Sequence, residues 1–134
     1  MKRLIPILLL LTACQRPGFT GNDPGDELRP FVDSFVSAYG GPMPEIAYVL
    51  GPLDGKAGQC DQRGPSKVII ISEETWANLC DAQKKSVVWH ELGHCVLGRS
   101  HADQATISYM IPDMVPCGFY ETNDAELELE MFNP

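Results

Sequence analysis

Apolar positions along the chain fall into short periodic runs separated by stretches with little to bury, and this pattern outlines the elements. Phe31, Phe35 and Tyr39 recur at helical spacing behind Pro30, and Gly40-Gly41-Pro42 closes the run, which predicts a first helix over 30–39. Glu45 to Leu50 alternates enough for a strand, and Val68-Ile69-Ile70-Ile71 is β-branched throughout, as a buried strand should be. Between them, residues 51–66 carry four Gly and two Pro and are expected to form a loop. Ser72 ahead of Glu73-Glu74-Thr75 caps a short helix holding Trp76 and Leu79, with both Trp76 and Trp89 expected in the core. A longer helix is predicted over 82–97. Asn123 with Glu126 three residues on resembles a capping box opening a terminal helix, whose Leu127 and Met131 pack inward. Glu126, Glu128 and Glu130 are expected to form its solvated face.

With 134 residues, one domain is the default, since two cores would each be too small to offset their chain entropy. The net charge of −8 argues against a nucleic-acid partner, which needs clustered Lys and Arg. No apolar run reaches the roughly 18 residues of a spanning helix. The N-terminus nevertheless reads as an address. Lys2 and Arg3 precede the apolar stretch Leu4 to Leu11, and Leu11-Thr12-Ala13-Cys14 looks like a bacterial lipobox. That likeness implies a signal peptide over 1–13 and a lipidated Cys14 opening a flexible tether over 14–27. A catalytic or binding domain then spans 28–134, held at the cell envelope by its lipid anchor. The domain is expected to be monomeric.

Export would permit disulfides among Cys60, Cys80, Cys95 and Cys117, and no Cys-x-x-Cys spacing suggests a zinc ribbon. Cys80 and Cys95 flank one helical stretch about 22 Å long, so they should not pair with each other. Cys60–Cys80 with Cys95–Cys117 is the preferred arrangement. Cys60–Cys95 with Cys80–Cys117 stays open.

The chemistry concentrates in His90-Glu91-Leu92-Gly93-His94. Four residues make about one helical turn, so both imidazoles leave the same face close enough to share one metal ion. Val88, Leu92, Cys95 and Val96 fall on the opposite side, giving the helix an apolar back and a polar front. Neutral imidazole suits Zn2+, and three protein ligands leave a fourth position for water. Glu91 sits about 100° round the helix from His90, where it reaches that water more easily than the metal. Gly98 can end the helix in the left-handed conformation and turn His101 back toward the ion. Asp103 and Glu121 are the alternative third ligands. Asp103 could instead orient an imidazole from behind. Tyr109 and Tyr120 are expected to pack rather than to donate to an oxyanion, and Cys95 to be bridged or buried rather than a ligand.

The run from His90 to His101, followed by Ser108-Tyr109-Met110-Ile111-Pro112, resembles the metzincin zinc endopeptidases, matrixin-like members in particular. The resemblance implies a small α+β zincin domain: a twisted sheet, a first helix, an active-site helix and a C-terminal helix. It makes His90, His94 and His101 the zinc ligands, Glu91 the general base, Met110 the Met-turn residue and Ile111-Pro112 the opening of a specificity-pocket wall. It implies a peptide or protein substrate. The chain departs from the family pattern at one point: Leu97 stands where metzincins place the glycine, and Gly98 follows it, so the loop must absorb one extra residue. A lipoprotein that holds zinc for binding or scaffolding, without turnover, is the rival reading.

Overall fold

A computed structural model describes residues 23–134; the expected signal peptide, Cys14 and most of the tether lie outside the described residues. The order of elements is α1 (Gly25–Tyr39), β1 (Ile46–Gly51), β2 (Gly58–Asp61), β3 (Lys67–Ser72), α2 (Glu73–Trp76), α3 (Asp81–Leu97) and α4 (Cys117–Phe132). The class is α+β, as expected. The sheet has the order β1-β3-β2, with β1 parallel and β2 antiparallel to the central β3. Ile69 and Ile71 of β3 point into the core beside Ile46 and Tyr48 of β1, which explains the unbroken β-branched run in the strand that has neighbours on both sides.

α3 is the axis of the molecule. It packs on α1, on α4 and across β2 and β3. Val88, Trp89, Leu92 and Cys95 form its buried side, and Phe35 meets the Trp89 ring edge-on with centroids 5.3 Å apart. The Trp89 indole is held by its N–H, which donates to Ser34 Oγ at 3.0 Å. Trp76 is buried too, its indole N–H donating to Glu27.

Five expectations are corrected. The segment 51–66 is not all loop, because Gly58–Asp61 pairs with β3 as an edge strand. Its four residues are too few, and too weakly apolar, to stand out in the sequence.

α1 begins at Gly25, so the last residues assigned to the tether form its first turn. The Asp23 carboxylate accepts from Gly25 N–H there, and Asp26 and Glu27 face the positive end of the helix.

α4 begins at Cys117 rather than at Asn123, whose side chain instead donates to Phe119 O one turn back. The acidic residues of α4 do not share one solvated face either. Glu128 pairs with Lys85 on α3, and Glu130 is largely buried against Arg99.

The preferred disulfide arrangement is also overturned. Cys60 pairs with Cys95 and Cys80 with Cys117. The reason is β2: it lies across the C-terminal part of α3, bringing Cys60 to Cys95 with Cα atoms 5.8 Å apart. Cys80, the N-cap of α3, is left to join the first residue of α4.

Candidate metal centre

His90 and His94 project one turn apart from the front of α3, and the chain then reverses to bring in His101. Gly98 makes the reversal at φ 64°, and both its N–H and that of Arg99 bond to Gly93 O. The extra residue at Leu97 is therefore taken up as the last helical position before the turn. Ala102 N–H then donates to Met110 O at 2.9 Å, fastening the returning loop to the segment beneath the helix.

One nitrogen from each of the three rings can be chosen so that all three lie within 4.8 Å of one another. His90 Nε2 is 3.1 Å from His94 Nε2 and 3.2 Å from His101 Nε2. The opposite nitrogens of two rings are committed elsewhere: His90 Nδ1 donates to Tyr109 O at 2.7 Å, and His94 Nδ1 donates to Arg99 O at 2.6 Å. A carbonyl can only accept, so each of these rings carries its proton on Nδ1 and turns a bare Nε2 lone pair inward. Lone pairs facing one another at van der Waals distance repel unless a cation lies between them. The donor set and tautomers thus fit a metal bound by three imidazoles, the arrangement of a catalytic zinc site. Burial lowers the His90 pKa to about 4, the neighbouring imidazoles adding to the effect, and His94 moves in the same direction chiefly through burial. Neutral rings are the form a metal needs.

Glu91 is buried beside them, and burial pushes its pKa up to about 7 against the opposing effects of the Cys60 backbone N–H and Lys56. It lies under β2. A Cβ built on Gly58 would stand 2.8 Å from Glu91 Cγ, so only glycine lets the strand pass over the carboxylate. A cleft of about 710 Å³ opens along this face, lined by β2, the three histidines, Glu91 and the segment Ile111-Pro112-Asp113-Met114.

Met110 lies directly under the histidine turn. It is fully buried, and a Cβ on Gly93 would approach its sulfur to 2.4 Å.

The other expected participants fall elsewhere. Among the described residues neither Asp103 nor Glu121 joins the metal-ligating group. The Asp103 carboxylate accepts from Ala105 N–H in its own loop. The Tyr109 hydroxyl donates to Asp124, which commits its proton, and the Tyr120 hydroxyl accepts from Val115 N–H; both rings are buried at the edge of the cleft. Sequence reasoning missed Gly58, Arg99, Ser108 and Glu130, because nothing in local spacing marks a contact made only after folding.

A family model described as "Putative phage metallopeptidase" matches residues 45–114, a span running from β1 past the three histidines and Met110. No curated protein and no solved structure matches the chain.

Proposed function

We propose, for a chain that belongs to this phage metallopeptidase family, a zinc-dependent endopeptidase of metzincin type in which His90, His94 and His101 hold the metal and Glu91 is the general base. The observation that carries this reading is the inward convergence of three imidazole Nε2 atoms, two of them stripped of their protons by backbone carbonyls on the far side. Zinc, when bound, supplies Lewis acidity, lowering the pKa of a water in its open position to about 7 and stabilising charge on the scissile carbonyl oxygen.

The chain's own groups do the rest. Glu91 takes the proton of the attacking water and returns it to the leaving amine, its buried position keeping bulk water from competing. β2, an edge strand beside the cleft, offers main-chain groups to an extended peptide. Met110 serves as the Met-turn residue, and Ile111-Pro112 forms the near wall of the specificity pocket. Upstream, residues 1–13 act as the signal peptide and Cys14 carries the lipid. The tether holds the monomeric peptidase domain at the bacterial cell envelope.

Cleavage of an unfolded protein by wild type and Glu91→Gln, with zinc content measured in parallel, tests this reading. The variant should keep its zinc and lose about 10²–10⁴-fold in kcat. Wild type that holds zinc yet cleaves no peptide in a broad library would make the chain a metal-binding module instead.

A further inference from the structure

The two carbonyls that set the imidazole tautomers belong to Arg99 and Tyr109, at the two ends of the loop that carries His101. Both ends are gripped by one carboxylate. Arg99 reaches Glu130 with two guanidinium nitrogens, Nη2 to Oε1 at 2.6 Å and Nη1 to Oε2 at 3.1 Å, and Nη1 also donates to the Glu130 and Met131 carbonyls at 3.3 Å. On the other side Ser108 Oγ donates to Glu130 Oε2 at 2.6 Å and accepts from Met110 N–H at 3.0 Å. Glu130 therefore ties the loop leaving α3 to the segment beneath it, from a helix that supplies no metal ligand.

We propose that Glu130 is a positioning residue of the metal centre: by clamping Arg99 and Ser108 it holds the Arg99 and Tyr109 carbonyls against His94 and His90, fixing both rings with Nε2 inward. Three features make this more than a surface ion pair. Both partners are largely buried, with side-chain exposures of 14% and 18%. The Arg99 contact is bidentate, which fixes direction as well as distance. The hydroxyl of Ser108, itself fully buried, is spent on Glu130 and on the backbone of Met110. Glu128, two residues earlier, bonds to Lys85 and to neither Arg99 nor Ser108; its link to Tyr109 runs through Lys85 and Asp124 to the phenol hydroxyl, at the far end of that side chain from the carbonyl, so it provides a matched control on the same helix.

The inference rests on the proposed metal site, and its test reads the two separately. Long-range ¹H–¹⁵N spectra of the metal-free chain report the imidazole tautomers directly, and competition with a chelator gives zinc affinity. Wild type and Glu128→Gln should show His90 and His94 as Nδ1–H forms and bind zinc within twofold of one another. Glu130→Gln should show a mixture with the Nε2–H form and weaken zinc binding about 10-fold or more. Should that variant fail to fold, Ser108→Ala cuts one arm alone and should disturb His90 more than His94. Unchanged tautomers in these variants would overturn the positioning role, whereas wild type that ignores zinc would sink the metal site and leave the tautomer result standing.

Discussion

Two glycines decide how closely other groups approach the centre. At Gly58 the missing Cβ makes room for Glu91, so Gly58→Ala should push the carboxylate out of line and lower kcat about 10–100-fold. Zinc content, measured on the same sample, should not change. At Gly93 a methyl would meet the sulfur of fully buried Met110. Better helix propensity returns about 1 kcal/mol, but overpacking costs about 1–3 kcal/mol, so Gly93→Ala should lower the melting temperature slightly and perturb the histidine turn. His90, Glu91 and His94 were legible from sequence because a four-residue spacing is a property of the helix alone. His101 was legible because Gly98 announces the reversal. Gly58 and Gly93 were not, since their partners arrive from other elements.

α3 is stapled at both ends, to β2 through Cys60–Cys95 and to α4 through Cys80–Cys117. Replacing Cys60 and Cys95 with Ser should cost about 2–5 kcal/mol in thermal or denaturant unfolding. It should also reduce peptide cleavage more than zinc binding, because β2 would be freed beside the cleft while the histidines keep their carbonyls.

The tie from α4 has a pH signature. Burial raises the Glu130 pKa, but the hydrogen bonds from Arg99 and Ser108 outweigh it and hold the carboxyl below its usual 4.5. A depressed folded-state pKa contributes stability above the unfolded value, and that stability is lost as pH falls through the folded one. The melting-temperature gap between wild type and Glu130→Gln should therefore be full at pH 7 and close as the solution is acidified below about pH 4. At this level the central helix and β3 were plain in the sequence, each carrying a long apolar signature. The true starts of α1 and α4 were obscured by glycine and proline, which normally mark linkers, at Pro24-Gly25 and Pro116-Cys117-Gly118. β2 was invisible because its pairing with β3, not its composition, makes it a strand.

The whole domain is small, and its loops converge on one point, so metal and fold should be coupled. A ligand bound only by the folded state stabilises by about 2.7 kcal/mol at 100 times its Kd. Zinc should raise the melting temperature accordingly, and a chelator should reverse the gain, as thermal scans of apo and loaded protein will show. The order of the main elements followed from hydrophobic periodicity, and the α+β class from the resemblance that the histidine motif carries. The disulfide arrangement did not, because it depends on which end of α3 the unrecognised strand crosses. The most direct test of the account is X-ray absorption at the zinc edge of the loaded chain. It predicts three imidazole nitrogens at about 2.0–2.1 Å with one oxygen donor, and the loss of one imidazole in His101→Ala. A sulfur ligand, or two imidazoles in wild type and an unchanged spectrum in the variant, would contradict it.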